Sequence, residues 1–459
     1  MNFYLLDIKS INKLDDFLQN NYITNDIITS IKDGDVLLLI DSTYIRYFAK
    51  CKAVYNNKIE IDRWHKLSKT IEITDINISK NSFSKLEDIK TINLLKTIIN
   101  NELNIVSLHT KNFMSLNNEK LEFASINIFI GENGSGKSQI LKLLYSMLLS
   151  NNEISKIDAP NKYEKMQKIA ENMIDIFKAK HLGSLVNYTK EEASIEVNFN
   201  KYKIKTTFTS NSKKELKDII NFDCMAKSTI FIPTKEILSF YKGFRILYED
   251  KELKFDKTYY ELAKALERSL LKTNDLNDIV QKIEQILNGK VVLENGEFYL
   301  EIDDKLLEIN LVAEGFRKIA MLSYLMANGS LDSNSILFWD EPESNMHPKL
   351  IDNIVEFIVF LANRGMQIFI STHSPYVIES INNHLKRYKI DNKDIKDKSI
   401  SKLTPLNPQD TKAYLLDNQK YISLIDEQLG LIDDKLLENF NDITLLYEKM
   451  RDLEWEDDE

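Results

Sequence analysis

The sequence predicts an α/β protein, and three observations support this. Residues 126–130, 335–339 and 367–370 are short, almost entirely apolar runs, which are typical of parallel strands buried on both faces. Each run leads directly into a polar or glycine-containing segment, and the first is followed by the apolar spacing of a helix. Alternating runs that meet at 200–201 and at 295–296 predict antiparallel hairpins in addition.

The bulk composition narrows the class of protein. The 459 residues are 43% apolar and 28% charged, which is typical of a globular protein of two or three domains. We expect no signal peptide and, because no uncharged apolar run of about eighteen residues occurs, no membrane-spanning helix. Cys51 and Cys224 are far apart and lack metal-ligand spacing, so we expect a reducing compartment, the cytoplasm.

The net charge is −10, from 60 Lys and Arg residues against 70 Asp and Glu residues. A protein that coats DNA usually has a basic surplus, so this balance does not favour general nucleic-acid binding. A local basic face is compatible with the same total, because net charge says nothing about its distribution. Nucleic acid is therefore a possible partner. A membrane partner is not expected, because the sequence predicts no membrane-spanning helix.

Three regions can be distinguished along the chain: residues 1–101, 102–380 and 381–459. The second carries the motifs described below, and an amphipathic helix is predicted within it at 163–180. The third is expected to be mostly helical, because residues 435–450 show helical apolar spacing. It ends in an acidic run, which is expected to be a solvated tail.

The first region is expected to be a small α+β module that is rich in strands and compatible with a barrel. Strand patterns occupy 36–40 and 45–54, and alternation at Ile59 and Ile61 predicts a returning strand. Residues 82–101 have helical spacing and predict a linker helix. A protein-interaction module is the reading we favour, and the alternative is a PUA/EVE-like barrel that reads modified bases or RNA, which the pattern resembles.

A phosphate-binding loop is predicted at 131–138, which matches G-x-x-x-x-G-K-[ST] between a strand pattern and a helix pattern. Only 12 of the 459 residues are glycine, yet three lie in this segment, so a chance match is disfavoured. Backbone N–H groups and the helix N-terminus would hold the phosphates, with Lys137 at the β- and γ-phosphates and Ser138 at Mg²⁺. The residues predicted to bind the nucleotide here are Gly131, Asn133, Gly134, Ser135, Gly136, Lys137, Ser138 and Gln139.

Two acids follow the run 335–339. A carboxylate at the tip of a parallel strand beside the phosphate loop can hold Mg²⁺ through its waters, so Asp340 is the second predicted metal residue. Glu341 is then placed to orient or deprotonate an attacking water. The dipeptide alone would equally fit a solvated strand end, but the longer segment Asp-Glu-Pro-Glu at 340–343, followed by Asn-Met-His-Pro, is more specific.

Three segments in this order, 131–138, 340–343 and 371–375, together resemble the ABC-type ATPases. They are similar to the branch that includes the OLD (overcoming lysogenisation defect) nucleases, double-strand-break-repair ATPases and many AAA-family ATP-binding proteins of phage-defence operons. The resemblance implies an ABC-type P-loop head made of a mixed core sheet and an antiparallel β subdomain. A small N-terminal β-rich domain and a C-terminal helical region would flank this head.

The resemblance assigns further roles. His373, inside Ser-Thr-His-Ser-Pro after the run 367–370, looks like the switch histidine that contacts the γ-phosphate. The candidate catalytic residues are therefore Lys137, Glu341 and His373. ATP and Mg²⁺ are the implied cofactors.

A signature segment is implied at Ala313, Glu314 and Gly315, which would reach the γ-phosphate of an opposite protomer through backbone N–H groups. Alanine stands at 313 where the family usually has serine, so the hydroxyl contact is missing. Glu236 follows a strand pattern that resembles the one before the family's Q-loop, but no glutamine occurs there. Glu236 could contact the metal or the water, and an ordinary strand end is an equally good reading. Residues 345–347 resemble the D-loop at the dimer seam.

The functional expectation is an ATPase that works as a head-to-tail homo-oligomer and regulates a separately encoded effector, a nuclease or toxin, in bacterial anti-phage defence. The segment after His373 is short for the TOPRIM nuclease domain of OLD-type proteins, so nuclease activity in this chain is not expected. The alternative is a DNA-repair ATPase that acts on DNA ends. A further possibility is that ATP binding alone holds an assembly together and that hydrolysis is very slow. A transport ATPase is not expected, because the signature segment lacks its usual serine and a module of about 100 residues precedes the head.

Overall fold

The computed structural model describes short segments of the first 103 residues and most of the residues that follow. The described segments of the first part are 3–7, 22–24, 36–41, 44–55, 58–61, 65–72 and 84–85. Residues 104–433 are described except for 158, 201, 221–226, 251–254, 273–274, 392–394, 396, 418–419 and 427–428. The chain forms two compact units, Met1–Leu103 and Asn104–Glu459.

The first unit contains a seven-stranded sheet. Its strands are Phe3–Asp7 (β1), Tyr22–Thr24 (β2), Val36–Asp41 (β3), Tyr44–Tyr55 (β4), Lys58–Ile61 (β5), His65–Glu72 (β6) and Ser84–Lys85 (β7). They lie in the order β2-β5-β4-β3-β1-β7, with β6 paired to β4. β1 and β3 are parallel, and the other pairs are antiparallel. The predicted strands at 36–40 and 45–54, and the return through Ile59 and Ile61, are confirmed.

The linker helix predicted at 82–101 is wrong at its start. Residues 84 and 85 form β7, which pairs antiparallel with β1. Pairing with a neighbouring strand outweighs local helical spacing at this point. Residues 86–101 lie outside the described residues.

A six-stranded sheet lies at the centre of the second unit. The strands of this unit are Ile105–Lys111 (β8), Glu119–Glu122 (β9), Ile126–Gly131 (β10), Glu192–Phe199 (β11), Lys203–Thr209 (β12), Asp218–Ile220 (β13), Thr229–Ile232 (β14), Lys290–Glu294 (β15), Glu297–Ile302 (β16), Lys305–Glu308 (β17), Ile336–Asp340 (β18), Gln367–Thr372 (β19), Thr411–Asp417 (β20) and Lys420–Ser423 (β21). The central order is β14-β18-β19-β10-β20-β21. Neighbours are parallel except for β20 and β21, so the predicted mixed core sheet is confirmed.

Helices connect most strands of the central sheet. They are Lys137–Ile154 (α1), Lys162–Phe177 (α2), Phe244–Glu249 (α3), Lys257–Leu266 (α4), Asn277–Leu287 (α5), Glu314–Ala327 (α6), Pro348–Asn363 (α7), Pro375–Lys389 (α8) and Lys398–Lys402 (α9). The helix predicted at 163–180 is α2, which ends three residues earlier because Lys178 adopts the left-handed backbone, with φ 51°. None of the described helices is long and apolar enough to cross a bilayer.

A row of aromatic rings crosses three adjacent central strands. Phe231, Phe338 and Phe369 are register neighbours on β14, β18 and β19, and successive ring centroids lie 6.3 Å and 4.9 Å apart. Tyr145 of α1 packs against the first two rings, with centroid distances of 5.3 Å and 5.9 Å. All four side chains are buried. Such ring pairs stabilise by about 0.5–1.5 kcal/mol each beyond the area they bury, so they fix α1 firmly against the sheet.

The predicted antiparallel β subdomain is also confirmed. A five-stranded sheet has the order β13-β12-β11-β8-β9, and every neighbouring pair in it is antiparallel. The predicted hairpin at 200–201 joins β11 and β12. The hairpin at 295–296 joins β15 and β16 in a separate three-stranded sheet. Asn295 and Gly296 both have positive φ, 51° and 76°, as a type I′ turn requires.

The expectation of a mostly helical region at 381–459 is wrong for residues 411–423. β20 runs parallel to β10 over residues 411–416, and β21 pairs antiparallel with β20. The apolar run at 413–416 fits a buried strand and a buried helix equally well, so its periodicity could not decide between them. Main-chain pairing with β10 decides it. The helix predicted at 435–450 and the acidic tail lie outside the described residues.

The Gln367 side chain joins the central sheet to the antiparallel subdomain. Its Oε1 accepts the N–H of Ile105 at 2.9 Å, and its Nε2 donates to the carbonyls of Ile105 at 2.8 Å and Ala124 at 3.0 Å. Gln367 is buried. The side-chain amide thus takes the place of a main-chain strand partner at this junction.

We expect Gln367→Leu to lower the free energy of unfolding by about 2–4 kcal/mol, because each buried polar group left without a partner costs about 1–3 kcal/mol. Urea unfolding followed by circular dichroism would measure the loss. Gln281→Leu is the matched control, since Gln281 is exposed on α5, and a surface change of this kind should stay within about 0.5 kcal/mol. Equal stability of the two variants would contradict the proposed junction.

Candidate active site

The predicted phosphate loop connects β10 to α1. Gly131, Gly134 and Gly136 all have positive φ, at 152°, 85° and 107°. A Cβ on Gly131 would lie 2.6 Å from the carbonyl oxygen of Leu416 in β20 and 2.9 Å from Ser135 Oγ. Gly136 precedes the first residue of α1, so the first N–H groups of that helix are available to an anion. The loop therefore has the backbone shape of a phosphate cradle.

The ammonium of Lys137 lies over this loop. Its Nζ donates to the carbonyls of Gly131 at 2.7 Å and Glu132 at 2.8 Å, and the residue is buried. Burial lowers the pKa of Lys137, and nearby carboxylates, Glu341 first among them, oppose that shift. A positive charge with acids close by and two carbonyls as its hydrogen-bond partners is suited to an incoming phosphate.

A hydroxyl and a carboxylate meet beside the loop. Ser138 Oγ donates to Asp340 Oδ1 at 2.8 Å, so the structure brings the two predicted metal residues together. Thr234 Oγ1 donates to Asp340 Oδ2 at 3.3 Å, and Ser371 Oγ donates to Oδ1. Magnesium at phosphate sites is held by one or two carboxylates with hydroxyl, phosphate and water oxygens. This set of hard oxygen donors fits Mg²⁺.

Glu341 and His373 also come together, at the ends of β18 and β19. His373 Nδ1 lies 3.3 Å from Glu341 Oε1. Glu341 has a left-handed backbone, with φ 50°, and its N–H donates to the carbonyl and the hydroxyl of Ser371, both at 3.1 Å. A non-glycine residue held in this conformation stores strain, which clusters at functional sites. The pair is partly exposed, so a water or a phosphate can approach it.

Glu343 lies behind this pair and was given no role from the sequence. Its Oε1 accepts the Thr372 hydroxyl at 2.6 Å and the N–H of His373 at 3.2 Å. Burial raises the pKa of Glu343, and these hydrogen bonds oppose the shift. Its place in Asp-Glu-Pro-Glu, directly after the strand-tip acids, was the signal that could have drawn attention to it.

The predicted signature segment, residues 313–315, lies at the N-terminus of α6. Ala313 is the residue before this helix. Glu314 Oε1 accepts from Asn345 Nδ2 at 2.9 Å. A Cβ on Gly315 would lie 3.0 Å from Leu350 and 3.2 Å from Met346. The structure thus sets the signature segment against the predicted D-loop and the start of α7.

Two basic residues of α6 connect this helix to the site. Arg317 forms an ion pair with Glu236, with Nε and Oε1 2.8 Å apart, so that carboxylate is already engaged by α6. Lys318 is fully buried, and its Nζ donates to the Ser344 carbonyl at 3.0 Å and the Glu341 carbonyl at 3.5 Å. Burial lowers the pKa of Lys318. α6 therefore contacts the main chain that carries the strand-tip acids.

Comparison with known proteins agrees with a phosphate-binding site of the ATPase kind. Residues 126–379 match the family described as "AAA domain, putative AbiEii toxin, Type IV TA system". The chain belongs to this AAA-domain family. Together with the α/β architecture, family membership and the relatives below confirm the ABC-type P-loop resemblance.

Two curated relatives and one solved structure show the range of similarity. The chain is 25% identical over 315 residues to the Septu protein PtuA of Bacillus mycoides (strain KBAB4), an alignment that covers 64% of this chain and 41% of PtuA. It is 32% identical over 145 residues to the Old nuclease of Escherichia phage P2, covering 29% and 24%. An SMC head bound to the C-winged helix domain of ScpA is 14% identical, with a TM-score of 0.41, covering 71% of this chain and 98% of that one. The chain thus spans less than half the length of either curated relative.

Among the residues of this AAA-domain protein that sequence reasoning missed are Thr234, Ser371, Glu343 and Lys318. Ser371 is opposite Asp340 in the β18–β19 register, so only the strand pairing reveals its role. Lys318 follows the signature segment, but a lysine in a helix is usually solvated. These contacts depend on tertiary position, which local patterns do not carry.

We expect Gly131→Ala to destabilise the chain more than Gly134→Ala. Both residues have positive φ, which costs about 1–2 kcal/mol for alanine, but a Cβ on Gly134 meets nothing within 4 Å. At Gly131 the methyl group must displace β20, and such overpacking adds about 1–3 kcal/mol. Urea unfolding of the two variants would measure the difference. Equal losses would show that β20 does not close the phosphate loop.

Proposed function

We propose that this chain binds ATP with Mg²⁺ and hydrolyses it, and that two copies arranged head to tail complete each site. The observation that carries the proposal is the convergence of three groups at the ends of adjacent parallel strands. They are the Lys137 ammonium over the glycine loop, the Ser138–Asp340 pair and the Glu341–His373 pair. Ligands of open α/β sheets bind at the carboxyl ends of the strands.

Each group has one task in the proposed reaction. The amides of 132–138 and the N-terminus of α1 hold the β- and γ-phosphates, and Lys137 leaves its two carbonyl partners to contact them. Ser138 and Asp340 would hold a magnesium ion, which would supply neutralisation of the charge on the phosphate oxygens.

The chemical step follows from the strand-tip pair. Glu341 accepts a proton from water as the water oxygen attacks the γ-phosphorus, and the bond to the β–γ bridging oxygen breaks to leave ADP and phosphate. His373 contacts the γ-phosphate and orients Glu341.

The second protomer supplies the signature segment. In one chain, Glu314 accepts a hydrogen bond from Asn345, and Gly315 packs against Met346 and Leu350, which supports a preformed surface for a partner. Leu311, two residues before this segment, is 71% exposed, and Phe316, directly after it, is 36% exposed. A helix N-terminus flanked by exposed apolar side chains suits burial against a second copy that holds a bound γ-phosphate.

The biological role we propose is that of a cytoplasmic sensor and scaffold that regulates a separately encoded effector, a nuclease or toxin, in bacterial anti-phage defence. Similarity to the Septu protein PtuA and to the Old nuclease supports this reading. The difference between the ATP-bound and released dimers would be the signal passed to the effector, because a ligand shifts an equilibrium by its differential affinity for the two states.

We expect Lys137→Ala to abolish measurable ATP binding, because it removes the only side-chain cation assigned to the phosphates. Titration of a fluorescent ATP analogue followed by anisotropy would measure the affinity. Lys156→Ala is the control, since Lys156 is exposed just beyond α1. Unchanged affinity in Lys137→Ala would refute the phosphate cradle.

We expect Glu341→Gln to bind ATP but to turn over about 100- to 10,000-fold more slowly, the range that general-base catalysis contributes. With ATP the variant should accumulate as a closed dimer on a sizing column. The double variant Lys137→Ala/Glu341→Gln should remain monomeric under the same conditions, because it cannot hold the nucleotide. Near-normal phosphate release by Glu341→Gln would remove Glu341 from the water-activating role.

A further inference from the structure

We propose that Glu343 is a positioning residue for His373, whose imidazole it holds against the Glu341 carboxylate. The proposal rests on the proposed hydrolysis, since it adds a part to the same site. It concerns a buried acid that lies behind the reacting groups and acts only through the histidine.

One carboxylate oxygen of Glu343 fixes the end of β19. Oε1 accepts both the Thr372 hydroxyl, at 2.6 Å, and the main-chain N–H of His373, at 3.2 Å. The Thr372 hydroxyl oxygen in turn accepts the N–H of Ser374 at 3.0 Å. A single acid from the loop after β18 therefore restrains three consecutive residues, and the backbone of His373 lies in the middle of them.

The imidazole of His373 lies between two carboxylates of unequal exposure. Nδ1 is 3.3 Å from Glu341 Oε1 and 3.7 Å from Glu343 Oε1. The Glu343 side chain is 4% exposed, against 21% for Glu341 and 49% for His373. Only the more exposed acid can meet a water or a phosphate. Glu343 therefore has access to the reaction through His373 and not directly.

Stability alone does not account for this acid. Its second oxygen, Oε2, is buried and has no hydrogen-bond partner among the described residues. Burying an ionisable group with an oxygen left unpaired costs free energy. Such departures from full hydrogen bonding are expected at functional sites, where position matters more than stability.

Three variants test the proposal through turnover. Glu343→Ala removes the shared acceptor, so kcat should fall about 10- to 100-fold, the usual loss when a supporting partner of a site residue is removed. KM for ATP should change much less than kcat, because the phosphate loop is untouched. Glu343→Gln keeps an oxygen at the Oε1 position and should restore most of the turnover. Glu379→Ala, an exposed acid on α8, should behave as the unmodified chain does.

The loss must also disappear when His373 is absent. In a His373→Ala background, adding Glu343→Ala should change kcat by less than about twofold, because residues that act as a unit are strongly non-additive. An equal loss in both backgrounds would overturn the proposal. So would a Glu343→Gln variant that is as slow as Glu343→Ala.

A spectroscopic measurement separates this proposal from the proposed hydrolysis. The chain has six histidines, so ¹⁵N-histidine labelling gives few imidazole signals, and His373→Asn identifies the signal of His373. That signal should shift in Glu343→Ala and stay near its place in Glu343→Gln. No shift in Glu343→Ala would overturn the proposal even if turnover fell. If the unmodified chain released no phosphate, the proposed hydrolysis would be contradicted. The imidazole signal would still decide whether Glu343 positions His373.

Discussion

The whole site depends on the parallel pairing of three neighbouring strands, β18, β19 and β10. Because parallel strands end at the same edge of a sheet, the loops after them are brought together whatever their separation in sequence. Asp340 is opposite Ser371 in this register, and Ile130 is opposite Thr372. The phosphate loop, the strand-tip acids and the histidine are therefore positioned by main-chain hydrogen bonds before any side chain contributes. The row of stacked phenylalanines holds two of these strands, β18 and β19, together with β14 and α1.

Several charges are buried around these strand ends, and each forms hydrogen bonds with its neighbours, although one oxygen of Glu343 has no partner among the described residues. Lys137, Lys318, Asp340 and Glu343 all have less than a tenth of their surface exposed. An isolated buried charge is costly, but here ammonium groups contact carbonyls and carboxylates accept from hydroxyls and amides. The site is accordingly preorganised for a ligand that carries both negative phosphates and a divalent cation, which would replace some of these internal contacts.

Much of the architecture was predictable because it is written in short local patterns. The phosphate loop, the acids after β18 and the hairpin turns each need only a few adjacent residues. What sequence reasoning missed depends on register: Ser371 faces Asp340 only because β18 and β19 pair as they do. The residues 411–423 were assigned to a helical region because a fully buried strand has no alternation to distinguish it from a buried helix. Where pairing between distant strands competes with the local spacing of apolar residues, the strand pairing determines the secondary structure.

The pairing of β20 with β10 places residues 411–416 directly beside the strand that leads into the phosphate loop. Leu416 lies in register with Gly131, and there is no room between them for even one methyl group. A partner that binds the segment after β20 and shifts this strand would therefore move Leu416 against Gly131 of the phosphate loop. Conversely, a change in the conformation of Gly131 would alter its contact with Leu416, so the phosphate loop and β20 are directly coupled.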